Sequence, residues 1–270
     1  MLHMQRKMSG AGFSIARQIK LVLDKMEAAA LRRPESLQYA KPKLVAVSKT
    51  KSVDMIIEAY DAGQRDFGEN YVVELYDKAN DIELQDKCGD IRWHFIGHLQ
   101  RNKVSKLLDV PNLFIVETVD SIRIAKAINE TWQKLNRKDP LNVMAQVNTS
   151  GEDSKSGCSP EEVLQLVKYI NEECPRISLV GLMTIGSFDH NPSTGPNPDF
   201  EALFKVRENV CKALDIRPQD LDLSMGMSND YEHAIEMGST SVRVGSTIFG
   251  SRSAPDTSHE TTEPEIRDSA

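Results

Sequence analysis

The amino-acid sequence predicts an α/β fold: a single (β/α)8 barrel of the TIM type, with an extra N-terminal helix and no C-terminal β domain. Three observations point there. Strand-like and helix-like segments alternate from residue 43 to residue 250, and eight such units in about 200 residues suit a closed barrel better than an open doubly wound sheet. Several strand segments, including Leu113-Phe114-Ile115-Val116 and Leu141 through Val147, are near-continuous apolar runs, as expected of strands covered on both faces. The last two segment ends, after the seventh and eighth strands, are dominated by small and hydrogen-bonding residues, and strand ends are where a barrel keeps its chemistry. The open sheet stays as the alternative, because the second strand is short.

In chain order, residues 13–33 carry helical apolar spacing at Phe13, Ile15, Ile19, Leu21, Leu23 and Met26, and read as a packed helix. Strands follow at 43–48, 65–67, 92–96, 113–117, 141–147, 177–183, 221–224 and 241–244. The helices between them are expected at 52–62, 70–83, 101–108, 121–136, 160–173, 198–214 and 230–237, with a short one near 247–250. The Gly/Pro/Asn-rich stretch 186–199 reads as a loop on the active face rather than a linker. No domain break interrupts residues 13–252. Residues 1–12 are expected to be a loose leader, and 253–270, polar and acidic, a disordered tail.

With 270 residues the chain can bury a substantial core, and 40% hydrophobic with 27% charged residues is ordinary soluble composition. A net charge of −7 argues against a surface devoted to nucleic acid. No apolar run approaches the roughly 20 residues of a membrane span. Cys88, Cys158, Cys174 and Cys211 are scattered without CxxC pairing, so neither a metal site nor a disulfide framework is expected. A cytoplasmic location follows. Arg6, Lys7, Arg17 and Lys20, with no acidic residue before position 21, also admit a mitochondrial transit segment.

The chemistry starts at Lys49, which follows the apolar run Leu44-Val45-Ala46-Val47. A lysine aimed from a strand end into a crevice can act as an amine nucleophile toward a carbonyl compound; the plain alternative is a surface lysine. The seventh and eighth strand ends, Ser224-Met225-Gly226-Met227-Ser228 and Arg243-Val244-Gly245-Ser246-Thr247, combine glycines, hydroxyls and following helices, as an anion site would. Ser228 could instead only cap the next helix. Arg243, inside a buried strand, requires a partner: either a bound ligand or a core carboxylate. Lys49 together with the anion site describes a cradle for pyridoxal 5′-phosphate (PLP).

The stretches Val45-Ala46-Val47-Ser48-Lys49, Phe67-Gly68-Glu69-Asn70-Tyr71, Trp93 through Lys103, Gly181-Leu182-Met183, Leu223 through Ser228 and Val242 through Gly250 are similar to those of the pyridoxal phosphate homeostasis proteins, which look like the barrel domain of alanine racemases standing alone. The resemblance covers residues 43–252. It implies that Lys49 carries PLP as a Schiff base, that Asn70 lines the cofactor, and that Ser228 with the backbone of Gly245 and Ser246 holds the phosphate. Arg243 would face the pyridine nitrogen. Met183, Ser224 and Gly226, at matching strand ends, complete the expected cofactor-binding set. An arginine at the ring does not give up its proton, so it should leave the ring nitrogen unprotonated and weaken the electron sink.

The implied function is a buffer or carrier in intracellular PLP homeostasis, without catalysis of its own. Apo PLP-dependent enzymes would be the recipients, and a monomer is expected. The alternative is a PLP-dependent amino-acid racemase or decarboxylase, which needs a second acid/base opposite Lys49. Tyr71 and Tyr231 lie near strand ends, but nothing in the sequence places either there. A barrel binding another phosphorylated aldehyde or sugar is a third reading. His98, Arg101, Lys103 and Lys106 form either a second anion or partner contact at the mouth or a solvated helix start with local hydrogen bonds. His94 reads as a satisfied interior histidine, and Cys158 as an incidental loop thiol.

Overall fold

The computed structural model describes residues 14–152, 155–187, 190 and 195–251. The leader 1–12, the tail 253–270 and part of the loop 186–199 fall outside them. The described residues form one closed barrel of eight parallel strands in sequential order: β1 (Lys43–Val47), β2 (Asp66–Glu69), β3 (Arg92–Phe95), β4 (Leu113–Val119), β5 (Leu141–Gln146), β6 (Ile177–Met183), β7 (Asp222–Met227) and β8 (Ser241–Val244). Pairing of β1 with β8, Leu44 beside Val242 and Val45 beside Arg243, closes it and excludes the open sheet.

The helices are α1 (Ile15–Leu31), α2 (Val53–Asp61), α3 (Val72–Ala79), α4 (Ile82–Lys87), α5 (Val104–Leu108), α6 (Ile122–Lys134), α7 (Val163–Glu173), α8 (Pro198–Leu214), α9 (Tyr231–Glu236) and α10 (Ser246–Phe249). The expected helix 70–83 is two helices. Asp81 takes an extended conformation and its carboxylate accepts the Leu84 N–H at 3.0 Å, which starts α4 afresh. The expected helix 101–108 opens as a 3-10 turn over Arg101–Lys103 before α5. Strands β2 and β7 run further than expected, through glycines 68 and 226 that weaken the sequence signal.

Helix α1 begins where Ser14 Oγ accepts the Arg17 N–H at 3.4 Å. Its buried stripe is Ile15, Ile19, Val22, Met26 and Ala29, packed toward α2, α9 and α10. Leu21 and Leu23, expected on that face, are 44% and 43% exposed, because Val22 takes the inward position between them. Strand alternation divides the rest of the core. Leu44, Phe67, Trp93, Val116, Val143, Leu182, Leu223 and Val242 join the large cluster between barrel and helices. Ile115, Met144 and Met183 make a small cluster of their own inside the barrel. On the same inward faces stand polar residues: Asp66, His94, Glu117, Ser224 and Arg243. A barrel interior with this much buried polarity has to satisfy it internally, and that requirement shapes the site.

Candidate functional site

Lys49 is half-buried in the turn after β1. The turn is clamped on both sides of it. Lys78 Nζ, on α3, donates to the Ser48 carbonyl (2.8 Å), to Glu69 Oε1 (2.7 Å) and to Glu74 Oε1 (2.6 Å). Ser48 Oγ donates to the same Glu69 oxygen at 2.7 Å, and Glu74 also accepts the Thr50 N–H at 2.5 Å. Thr50 has φ 63°, an uncommon conformation for a threonine, held by this contact. Burial pushes the Glu69 carboxyl up, against the Lys78 charge, which favours its ionised form. Glu69, Glu74 and Lys78 were not singled out in the sequence; Glu74 and Lys78 keep the i,i+4 spacing of α3, but Glu69 lies on β2, off that helix.

Asn70 follows β2, and its Oδ1 is buried without a hydrogen-bond partner among the described residues. Its backbone oxygen packs so closely over residue 97 that a Cβ there would lie 1.9 Å away, which is why Gly97 must be glycine. At the other side of the barrel seam, a Cβ on Gly245 would stand 3.2 Å from the Val47 carbonyl oxygen. The β8–α10 turn therefore abuts the end of β1, two residues before Lys49. Ser228 Oγ accepts the Gly245 N–H at 3.1 Å, joining the ends of β7 and β8. Ser228 does not cap α9. That helix starts at Asp230, whose carboxylate accepts the Met227 N–H at 2.6 Å. Gly226 has φ +95°, where a side chain is strained, and a Cβ would meet Ala234 Cβ at 2.5 Å, so it brings β7 tight against α9. Ser246 is exposed and opens α10, whose first N–H groups have no intrahelical partner.

Arg243 is buried and points inward. Its Nη1 donates to Ser224 Oγ at 2.6 Å and its Nη2 to the Thr184 carbonyl at 2.8 Å. Ser224 Oγ in turn donates to Glu117 Oε2 at 2.6 Å. The core carboxylate weighed as a partner for Arg243 thus exists, and a serine stands between the two. Burial draws the guanidinium below its ordinary value, opposed by Glu117 and Asp230; an arginine stays charged under such shifts. The other Glu117 oxygen lies 2.6 Å from His94 Nδ1, and His94 Nε2 lies 2.9 Å from Asp66 Oδ1. Asp66 is also gripped by Arg92 Nη2 at 2.6 Å. Burial would raise the Asp66 carboxyl, but His94 and Arg92 outweigh it and hold it down at about 2. His94 is satisfied and interior as expected. Thr184, Glu117 and Asp66 were missed. The rule that flagged Arg243 could have flagged Glu117, a carboxylate closing the apolar run of β4.

Met183, the last residue of β6, is fully buried in the inner apolar cluster. Tyr231 is buried at α9 beside the Lys25 charge, and its hydroxyl has no partner among the described residues; Tyr71 is 53% exposed. His98 reaches neighbouring loops, to Ser156 Oγ at 3.0 Å and Asp120 Oδ2 at 3.6 Å, and lines a cavity of about 500 Å³ with Arg101 and Arg123. Lys106 instead lies over the Tyr76 ring at 4.6 Å. Cys158 is buried, not loose: its thiol donates to the Gln146 carbonyl at 3.3 Å, and burial pushes it up to about 12. Among the described residues no group of His, Cys, Asp or Glu could hold a metal ion, and no helix is long and apolar enough to cross a membrane.

A parallel barrel with a strand-one lysine, a glycine- and serine-lined turn at strands seven and eight, and an inward arginine defines a class. It is the barrel of the family described as "Alanine racemase, N-terminal domain", whose model matches residues 23–253. A human protein named pyridoxal phosphate homeostasis protein is 54% identical over 87% of this chain and 85% of its own length. The protein of the same name from Haemophilus influenzae is 41% identical over 88% and 96%. The chain therefore belongs to the pyridoxal phosphate homeostasis protein family. Among solved structures, PipY of Synechococcus elongatus with PLP bound is 28% identical, with a TM-score of 0.72, over 88% of this chain and all of its own. Alanine racemase of Clostridium difficile, 15% identical with a TM-score of 0.62 over 89% of this chain and 61% of its own, shares the fold.

Proposed function

We propose that the chain binds PLP at the mouth of its barrel and serves as a buffer or carrier of the cofactor in PLP homeostasis, without catalysis of its own. The relatives' name and the PLP-bound PipY structure support the cofactor. The single observation that carries the site is the abutment of two elements: the Gly245 turn sits on Val47, and the same strand end leads into Lys49. The residues present fit the group. PLP supplies an aldehyde for reversible condensation with an amine, a phosphate, and an electron-accepting ring.

Lys49 Nζ offers the amine. The Gly245 N–H holds Ser228 Oγ, so the Ser228 hydroxyl proton and the backbone N–H of Ser246 beside it are the neutral donors on this turn that suit a phosphate. The partnerless Asn70 Oδ1 gives the pocket an acceptor awaiting a donor. Gly226 lets this wall come close, and Met183 with Ser224 forms the floor beneath. Arg243, kept charged and tethered to Ser224 and Thr184, would face the ring nitrogen. A guanidinium cannot accept the hydrogen bond of a protonated ring nitrogen, so Arg243 disfavours that protonation and with it carbanion chemistry. The non-catalytic reading is supported by the relatives' name, pyridoxal phosphate homeostasis protein.

A carrier hands over its cargo. Loaded protein mixed with an apo PLP-dependent enzyme should restore activity faster than PLP dissociates into a scavenger such as an excess of free amine. Restoration at the dissociation rate would leave buffering and remove direct transfer. Size measurement in the same preparation checks the monomer proposed for the chain.

A further inference from the structure

The mouth rests on a chain of charges that alternate in sign, buried except at its outer end, Arg92, and its middle member, His94, has no task in cofactor binding as described above. Arginine can only donate hydrogen bonds. At one end Arg243 Nη1 donates to Ser224 Oγ, so the serine proton is committed to Glu117 Oε2. At the other, Arg92 donates through Nε (2.9 Å) and Nη2 (2.6 Å) to the two oxygens of Asp66. The two arginines thus make both carboxyl groups receive. Between them lies His94, with Nδ1 2.6 Å from Glu117 and Nε2 2.9 Å from Asp66.

A neutral imidazole has one N–H, and its second nitrogen would set a lone pair against a carboxylate oxygen. The two contacts together therefore hold one proton beyond the neutral ring. Burial alone would raise the Glu117 carboxyl, but His94 and Arg243 hold it below its usual range, so that proton rests on nitrogen. The groups facing His94 are Asp66 from β2 and, from β4, Glu117 and the Phe114 ring at 5.5 Å. Arg92 and Lys43 lie 5.7 and 5.8 Å from that ring, and Arg243 stands behind Glu117.

We propose that His94 is a positioning residue, doubly protonated at neutral pH, which balances Glu117 and so leaves Arg243 turned to the cofactor ring instead of collapsing onto that carboxylate. The role rests on the reading of Arg243 given above. With His94 in place the ladder Arg243, Glu117, His94, Asp66, Arg92 runs plus, minus, plus, minus, plus across the barrel. Without it, Glu117 has one buried countercharge left, and in a medium of low polarity the direct ion pair displaces the serine-bridged one.

Two measurements test this. Nitrogen-15 NMR of the cofactor-free protein, labelled at histidine, should show both His94 ring nitrogens protonated at pH 7.5; a neutral ring there overturns the proposal with no cofactor involved. In the PLP-loaded protein, His94→Gln should displace the visible absorption maximum while the borohydride-reducible adduct on Lys49 persists. The double variant His94→Gln with Glu117→Gln, which removes the carboxylate charge as well, should bring the maximum back toward that of the original protein. A merely structural role predicts no such rescue, and an unmoved maximum in the single variant overturns the proposal. A protein that takes up no PLP at all would remove the ring contact and this role with it, and is recognised because the NMR result stands apart from it.

Discussion

At the scale of single residues, Lys49 is the proposed covalent anchor and Arg243 the proposed ring partner. Lys49→Ala should abolish any borohydride-stable adduct while leaving weaker binding through the phosphate turn, with affinity lower by about tenfold or more, roughly 1.4 kcal/mol per factor of ten. Absorbance titration with PLP measures both; unchanged affinity together with an unchanged visible band would show that another amine is used. Arg243→Gln leaves Glu117 with His94 as its cation, so its cost should stay below the about 3–5 kcal/mol of an uncompensated buried charge. Urea unfolding of the cofactor-free protein reads that cost. These two residues were legible in the sequence because each breaks a local rule: a lysine just beyond a buried strand, an arginine within one. Glu117 breaks the same rule and was readable by the same argument. Asp66 and the Lys78 contacts to Ser48 and Glu69 were not, since these partners come from other strands, and only the Lys78–Glu74 pair keeps a helical i,i+4 spacing.

At the scale of elements, the turns do the positioning. Gly226 sits at φ +95° with Ala234 Cβ 2.5 Å from where its own Cβ would be. Gly226→Ala should therefore destabilise the protein by about 1–3 kcal/mol from backbone strain alone, and weaken PLP binding by moving Ser228; a melting temperature and affinity equal to those of the original would contradict this. Lys78 ties β2 and α3 to both sides of Lys49. Lys78→Met leaves Glu69 buried beside Ser48 alone, and should both lower stability and slow adduct formation at Lys49, followed by stopped-flow absorbance. The strand and helix pattern was readable because parallel strands covered on both faces are continuous apolar runs. The break between α3 and α4 was signalled only by Asn80-Asp81, a capping pair inside a stretch that otherwise keeps helical spacing. Ends of β2 and β7 were blurred by their glycines, which add no side chain to the pattern.

At the scale of the whole molecule, closure of the barrel turns scattered strand ends into one mouth and buries a ladder of charges beneath it. The ladder makes stability depend on pH in both directions. Asp66 is held below its ordinary value of 3.8, at about 2, so its contribution is present above pH 3.8 and is lost as pH falls toward 2, at about 2 kcal/mol in all. His94, where burial works against the imidazolium but Asp66 and Glu117 outweigh it, is held above its ordinary 6.5; its contribution is complete below pH 6.5 and is lost as pH rises through the raised value. The cofactor-free barrel should thus draw most from this ladder between about pH 4 and 6.5, and His94→Gln should flatten the alkaline side of a melting-temperature profile. The closed eight-strand topology was legible from the count of units. The polar interior was not, because it arises from inward faces that meet only when the sheet closes. The central claim is the identity of the anchor. Purified protein charged with PLP, reduced with borohydride and mapped by peptide mass, should carry one stable pyridoxyl group on Lys49; a protein that stays colourless, or an adduct on a different lysine, would contradict the account.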